Sequence, residues 1–254
     1  MGIGAVQSNL LREMKDRGFL ASIETLCELG SQVPRKTELA ELVPTHTVDG
    51  DLSAPKFYSL LGIENYTSID FNGELGALRF DLNNDLRVHY SYAETFDLVT
   101  NFGTSEHCFN QHAVFKNIHD LCRPDGFMVH TLPTQGWGRH CFFRYDPNVF
   151  NDLAGANDYE LLFLQPYLNL RSTLKKGRGR TIDHILTLCT YILGRMERSP
   201  EPAAAEQDVQ AAVRNVGKHR ALFNVTLACI LRKRNDGPFV TPIQGMYRAH
   251  KMAD

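Results

Sequence analysis

Residues 23–32, IETLCELGSQ, pass from a short apolar run into a glycine and polar residues, which is typical of a β-strand that ends in a turn. Similar runs recur along the chain and alternate with stretches in which apolar residues return at helical spacing. This alternation predicts an α/β fold, a three-layer sandwich around a mainly parallel sheet that is buried on both faces. The seven predicted strands lie in IETLCELGSQ, YTSIDFNG, ALRFDLN, FDLVTNFG, DGFMVHTLP, YELLFLQPY and FNVTLACILRKR.

The length of the chain suits one domain spanning residues 1–254. Apolar residues at helical spacing from Ala5 to Phe19 predict an N-terminal helix within residues 1–20. Residues 170–207 contain a basic loop, a helical stretch and a loop rich in proline, alanine and glutamate. This stretch is too short for a good core of its own, so we expect a helical insertion before the last strand. Together with the N-terminal helix, it would cover a pocket or form a homodimer contact.

The composition excludes several classes of partner. Lys and Arg number 27 against 29 Asp and Glu, so there is no global attraction to nucleic acid or to an anionic membrane. No apolar run approaches the roughly 20 residues of a membrane span, and no signal peptide is evident. The six cysteines include no CxxC pair, which is typical of reduced thiols in a cytoplasmic protein. We therefore expect a cytoplasmic protein that binds a small molecule.

Four residues at the predicted strand ends indicate a ligand site. Ligands of open α/β sheets bind outside the carboxyl ends of the strands, where the strand order reverses. Gly30 follows the first strand and lets the backbone approach a ligand closely. Asp70 ends the second strand, where a carboxylate accepts hydrogen bonds from ribose hydroxyls. Asp81 ends the third strand within reach of an adenine amino group, and Asn101 ends the fourth, under the reactive centre.

These segments, in this order, resemble the class I S-adenosylmethionine-dependent methyltransferases. ELGSQ is similar to the first motif of that family, IDFNG to its ribose-binding motif and FDLVTNFGTSEH to its fourth, while HDLCRPDGFMVHTLP resembles the segment that leads into the fifth strand. The resemblance covers residues 23–133, with FNVTLACILRKR as further support. It implies a Rossmann-like fold, methyltransferase activity and S-adenosylmethionine as cofactor. It also implies a set of cofactor-binding residues, namely Glu28, Gly30, Ser31, Asp70, Asp81, Leu82 and Asn101.

The sequence departs from the family pattern in two places. The first motif keeps only Gly30 of the central glycines, and Asp70 follows it by 40 positions, with THTVDGDLSAP as an inserted loop. A dinucleotide needs a glycine-rich helix N-terminus for its pyrophosphate, whereas a sulfonium cofactor has no phosphate. The departures therefore count most against the alternative of a nicotinamide-dependent oxidoreductase. They leave open a second alternative, a non-catalytic protein with a methyltransferase-like fold.

The segment SEHCFNQH, after the fourth strand, carries the candidate chemistry. His107 and Gln111 are spaced i, i+4 and would share one face if both were helical, and His140 follows the fifth strand. In one interpretation His107 or His140 is a general base. In another, His107, Gln111 and His140 bind a divalent metal such as iron, which holds and acidifies the acceptor. This spacing is similar to one in metal-dependent C-methyltransferase domains of polyketide synthases. In a third, these residues only cap the helix.

Overall fold

A computed structural model of the protein describes residues 2–44, 50–137, 140–169 and 224–245. The chain divides into two compact units, residues 1–168 with 225–254, and residues 169–224. The helices and strands described below belong to the first unit, except for two residues at strand ends, Asn169 and Asn224, which fall in the second unit. The insertion predicted at residues 170–207 lies outside the described residues, so it stays a prediction.

A six-stranded mixed sheet forms the centre of the first unit, in the order β2-β1-β3-β4-β6-β5. The pairs β1–β2, β1–β3 and β3–β4 are parallel, while β6 runs antiparallel to β4. The strand order reverses at β1, because β2 lies on one side of it and β3 on the other, and such a point is where α/β sheets bind ligands. The strands are β1 (Thr25–Leu29), β2 (Asn65–Ile69), β3 (Phe96–Phe102), β4 (Cys122–Gln135), β5 (Tyr159–Asn169) and β6 (Asn224–Lys233).

The predicted third strand is the one strand prediction that is wrong. Leu78 forms a single bridge with Ile69, through bonds from Leu78 N to the Ser68 carbonyl and from Asp70 N to the Leu78 carbonyl. The chain then turns at once, because Asp81 accepts the backbone N–H of Asn83 at 2.9 Å. A segment that is bounded by such a turn cannot extend the ladder, so the described residues form six strands of the sheet and not seven.

Helices cover both faces of this sheet. The predicted N-terminal helix ends at Asp16, and a short 3₁₀ turn, Phe19–Ser22, follows after Gly18. Helices α2 and α3 form within the segments KTELAELV and APKFYSLLG, and Asp146 caps α6. None of the described helices has the length and apolarity to cross a membrane. The helices are α1 (Ala5–Asp16), α2 (Lys36–Leu39), α3 (Ala54–Ser59), α4 (Leu86–Tyr90), α5 (Gln111–Leu121) and α6 (Pro147–Asn157).

Alternating strand residues build a separate core on each side of the sheet, as the two-residue period of a strand requires. On one side, α1 and α3 pack against Leu26 of β1 and Leu98 of β3. On the other, α5 and α6 pack against the neighbouring residues Cys27 and Val99. The three-layer, Rossmann-like sandwich expected from the sequence is therefore confirmed.

Candidate active site

A cavity of about 640 Å³ opens at the carboxyl ends of β1, β2 and β3. It lies at the point where the strand order reverses, as the sequence predicts. Seven of the predicted site residues line it: Gly30, Ser31, Asp70, Asp81, Leu82, His107 and His140. The other lining residues are Gln32, Phe71, Phe80, Asn83, Gly103, Thr104 and Cys108.

Gly30 allows the turn after β1 to pass close to the loop after β3. Its φ of +85° is in the left-handed region, which glycine adopts without a steric penalty. A Cβ at this position would lie 2.5 Å from Thr104 Oγ1 and 2.9 Å from Gln32 Nε2. Thr104 Oγ1 in turn donates to the Leu29 carbonyl at 2.7 Å, which ties the two loops together. The floor of the cavity therefore has no room for a side chain at residue 30.

Asp70 is fixed at the wall of the cavity by backbone donors. One carboxylate oxygen accepts the N–H of Ser31 at 2.7 Å and the other accepts the N–H of Asn72 at 3.1 Å. The Ser31 hydroxyl donates to the Glu74 carbonyl at 2.9 Å, so the loops after β1 and β2 are joined. An ionised carboxylate oxygen accepts more than one hydrogen bond, so Asp70 retains capacity for the hydroxyls of a ligand.

Asp81 and Leu82 form the neighbouring wall. Asp81 Oδ1 accepts two bonds from Asn83, one from its backbone N–H at 2.9 Å and one from its side-chain amide at 2.7 Å. The Asp81 N–H donates to the Tyr90 hydroxyl at 2.9 Å, and the Tyr90 ring stacks on Phe80 with centroids 4.3 Å apart. Leu82 is buried beside them. This wall thus offers a carboxylate next to apolar and aromatic surface.

Glu28 and Asn101, which were also predicted to bind the cofactor, lie below the cavity and not in its lining. Both sit inside a strand, so their side chains are enclosed by neighbouring elements. Glu28 accepts the hydroxyls of Tyr58 and Tyr66 at 2.9 and 2.7 Å. Asn101 donates to the Ser105 hydroxyl at 2.8 Å and accepts the Ser105 N–H at 3.1 Å. In this structure the two residues support the walls from inside the fold.

Burial gives Glu28 an unusual ionisation. Loss of water raises the pKa of its carboxyl to about 7, even though the two tyrosine hydroxyls favour the charged form. His130, which the Asn101 amide approaches at 3.2 Å, is fully buried, and burial lowers its pKa to about 3. His130 is therefore a neutral histidine of the core at physiological pH.

The structure does not bring Gln111 to the two histidines. His107 belongs to a 3₁₀ turn, Ser105–His107, and α5 begins only at Gln111, so the i, i+4 spacing does not place them on one helix face. The Gln111 amide donates to the carbonyls of Ser105 and Cys108, and its oxygen accepts the Tyr145 hydroxyl at 2.7 Å. Gln111 thus holds the loop in place and has its oxygen engaged.

Glu106 takes the place beside the histidines that the sequence suggested for Gln111. Its Oε1 lies 3.8 Å from His107 Nε2 and 4.0 Å from His140 Nε2, and the two imidazole rings meet edge to face at 5.0 Å. Glu106 is fully buried, and neither carboxylate oxygen has a hydrogen-bond partner among the described residues. The sequence signal was only that a glutamate directly precedes His107.

The ionisation of this group follows from its burial. Loss of water raises the pKa of Glu106 to about 7. Burial and the neighbouring His140 hold the pKa of His107 below its ordinary value, so this imidazole is largely neutral at physiological pH. His107 remains nearly half exposed, with a side-chain exposure of 45%. A neutral, accessible imidazole suits both a general base and a metal ligand.

A family model described as a methyltransferase domain matches residues 3–184. Since this match spans more than two thirds of the chain, the protein belongs to that family, and its three-layer sandwich is the fold of the class I S-adenosylmethionine-dependent methyltransferases. No curated protein matches the sequence.

Similar solved structures are only distantly related. The N-methyltransferase NodS from Bradyrhizobium japonicum WM9, in complex with S-adenosylhomocysteine, is 13% identical with a TM-score of 0.45, covering 90% of this chain and 85% of that one. A SAM-dependent methyltransferase from Archaeoglobus fulgidus is 12% identical with a TM-score of 0.46, covering 88% and 92%. The StiE O-MT, residues 961–1257, is 12% identical with a TM-score of 0.43, covering 91% and 75%. At this distance, their acceptors carry no argument for this chain.

Replacement of Gly30 by alanine tests the close approach at the cavity floor. We expect Gly30→Ala to weaken S-adenosylhomocysteine binding by about tenfold or more, because the new Cβ displaces Thr104 or Gln32. The matched control is Gly62→Ala, at a φ of +88° with open space around the Cβ. Both variants should lose about 1–2 kcal/mol of stability from the left-handed backbone. Calorimetric titration measures the affinities, and an equal loss of affinity in both variants would contradict this account of Gly30.

Replacement of Glu28 by glutamine tests its buried ionisation. Since the pKa of Glu28 is raised from 4.5 to about 7 on folding, the wild type loses stability as the pH rises through this interval. Glu28→Gln has no such proton to lose. Between pH 4.5 and about pH 7, the free energy of unfolding of the wild type should therefore fall by a few kcal/mol relative to that of the variant. Denaturant unfolding at several pH values measures the difference. The exposed Glu64→Gln is the control and should parallel the wild type, and a pH-independent difference for Glu28→Gln would refute the argument.

Proposed function

We propose that this methyltransferase transfers the methyl group of S-adenosylmethionine to a small-molecule acceptor that binds beside Glu106, His107 and His140. One observation carries the proposal. The two histidines line the same cavity as Gly30, Asp70 and Asp81, so a proton-accepting group and the predicted cofactor residues face one space. The charge balance of the chain and the position of the two histidines in the lining of a cavity favour a small acceptor over nucleic acid.

The residues that line the cavity fit the cofactor. Among the described residues, the lining includes the carboxylates Asp70 and Asp81 but no lysine or arginine, which suits a cationic ligand without phosphate. Asp70 would accept hydrogen bonds from the ribose hydroxyls, and Asp81, beside the apolar Leu82, would meet the adenine. Gly30 keeps the floor open for the remainder of the molecule. The same lining gives no support to a nicotinamide dinucleotide, whose pyrophosphate needs donors or cations.

The side chains around His107 account for the proton transfer. When bound, S-adenosylmethionine supplies an electrophilic methyl group, and the electron pair of the broken C–S bond stays on sulfur. The acceptor's lone pair forms the new bond to the methyl carbon, while the proton of the acceptor passes to the neutral imidazole of His107. Glu106, 3.8 Å from His107 Nε2, stabilises the imidazolium that results. Most of the rate then comes from holding donor and acceptor in line.

A divalent metal is a second candidate for this position. Glu106, His107 and His140 each offer one ligand atom, and these atoms lie within 4.8 Å of one another. Two imidazoles and one carboxylate are a donor set that binds non-haem iron and similar ions. The two Glu106 oxygens, buried and without hydrogen-bond partners in the described part of the chain, favour this candidate, because a buried carboxylate needs a compensating charge or donor. A metal here would bind the acceptor and lower its pKa.

Substitution of His107 tests the proposed reaction. Methyl transfer from radiolabelled S-adenosylmethionine would be measured with a panel of phenols, thiols, amines and carboxylic acids. His107→Asn should lower transfer to any acceptor found by about 10²–10⁴-fold and leave S-adenosylhomocysteine binding unchanged. His89→Asn, at an exposed histidine that lines neither this cavity nor the second one described below, is the matched control. Absence of saturable S-adenosylhomocysteine binding by the wild type at millimolar ligand would overturn the proposed function.

Metal analysis decides the second candidate independently of activity. If the metal binds, protein purified without chelators should contain about one equivalent of a transition metal, as in other mononuclear sites. His107→Ala and His140→Ala should lose that metal, whereas His89→Ala should retain it. A wild-type protein without stoichiometric metal, whose methyl transfer survives chelation, would exclude the metal and leave His107 as a general base.

A further inference from the structure

A second cavity of about 330 Å³ lies between α5, α6 and residues 239–242, here called the C-terminal segment. Its wall is formed mainly by apolar and aromatic side chains from these three parts of the chain and from the loop that precedes α6. The apolar ones are Phe115, Phe143, Val149, Leu153, Phe239 and Pro242. Its size is that of a small ligand-binding pocket. None of the functions considered above requires this cavity.

The lining also contains polar residues, and two of them, Tyr145 and Gln111, bond to each other; the polar lining residues are Gln111, His112, Arg144, Tyr145 and Thr241. The Tyr145 hydroxyl donates to Gln111 Oε1 at 2.7 Å and lies 3.0 Å from the Ser105 hydroxyl. Arg144, which is exposed, donates to the Gly136 carbonyl at 3.0 Å. Because Tyr145 and Gln111 satisfy each other, a ligand in the cavity meets chiefly apolar surface. Its interior therefore suits a hydrocarbon chain or ring.

Two paired segments, residues 106–109 and 140–143, connect this cavity with the candidate active site. The Glu106 carbonyl accepts the N–H groups of Phe142 and Phe143 at 3.0 and 3.2 Å. At one end of the pair, His107 and His140 line the active-site cavity. At the other end, Phe143 lines the second cavity. The two cavities are thus separated by only a few residues of one local structure.

Two exposed phenylalanines lie along this connection. Phe109 and Phe142 are 74% and 69% exposed, and their rings meet edge to face at 5.8 Å. Phe109 also approaches Phe143 of the second cavity at 6.0 Å. Single exposed apolar residues are common, but these two are in contact, beside a reactive group and next to an apolar cavity, and this combination favours a ligand-binding surface.

We propose that the acceptor is an elongated amphipathic molecule. Its nucleophilic head binds at His107 and His140, its apolar body lies over Phe109 and Phe142, and its apolar end enters the second cavity. The proposal rests on the proposed function, because that function places the head at the histidine pair. It assigns the acceptor a class, a molecule with a weakly acidic polar head and a hydrocarbon tail.

Binding of 4-alkylphenols of increasing chain length tests the proposal. Trp137 is the only tryptophan of the chain, and its ring lies 4.9 Å from that of His140, so its fluorescence reports a ligand at the head position. With S-adenosylhomocysteine present, the affinity should increase by about fourfold for each added methylene, until the chain fills the cavity. Excitation at wavelengths that phenols do not absorb keeps the signal specific.

A variant that fills the second cavity locates the tail. Val149→Phe should abolish the increase in affinity for the 4-alkylphenols with longer chains and leave the affinity for 4-methylphenol unchanged. Val88→Phe makes the same change at a valine that is 80% exposed and lines neither cavity, and should behave as the wild type. Phe239→Leu enlarges the cavity and should shift the preferred chain towards longer members. This opposite change keeps the test decisive if Val149→Phe does not fold.

Two results would overturn the proposal: an affinity that is independent of chain length in the wild type, or a gain that persists unchanged in both Val149→Phe and Phe239→Leu. Binding of S-adenosylhomocysteine, measured on the same samples, distinguishes either of these results from a failure of the proposed function. A protein that binds S-adenosylhomocysteine but shows no chain-length dependence contradicts only the elongated acceptor.

Discussion

The close approach of the β1 turn to the β3 loop is the constraint on which the site depends. A Cβ at residue 30 would lie 2.5 Å from Thr104 Oγ1, so this floor can form only with glycine. Thr104 then closes the contact by donating to the Leu29 carbonyl. Because β1 is also the point at which the strand order reverses, the same contact positions the Asp70 wall on one side and the Glu106 and His107 loop on the other. One glycine therefore fixes the relative positions of the cofactor residues and the reactive group.

Sequence patterns predicted the residues that directly follow strands better than those inside them. Gly30 and Asp70 line the cavity, because the end of a short apolar run is visible in the sequence and the carboxyl ends of parallel strands share one edge. Asp81 also lines it, but from a turn and not from the end of a strand. Glu28 and Asn101 were assigned to the same site, but they lie within β1 and β3, where tyrosine and serine partners enclose them. A motif match does not reveal how many residues separate a side chain from the end of its strand.

The remaining differences come from local geometry that spacing alone does not encode. The interval between His107 and Gln111 suits a helix, yet a 3₁₀ turn ends at His107 and α5 starts at Gln111. Glu106 reaches the histidines only because the chain folds so that residues 140–143 return to its carbonyl. The second cavity combines α5, α6 and the C-terminal segment, which are far apart in sequence, so no local pattern predicts it. Local geometry also explains the missing seventh strand among the described residues, since the turn at Asp81 overrides the strand propensity of ALRF.

In the proposed function, the cofactor lies across the ends of β1 and β2 with its reactive end towards the histidine pair. A crystal structure of the protein with S-adenosylhomocysteine would test this placement. We expect ribose hydroxyls within hydrogen-bond distance of Asp70 and a sulfur atom that faces His107 and His140. A ribose bound away from Asp70, or a sulfur atom directed away from both histidines, would contradict it.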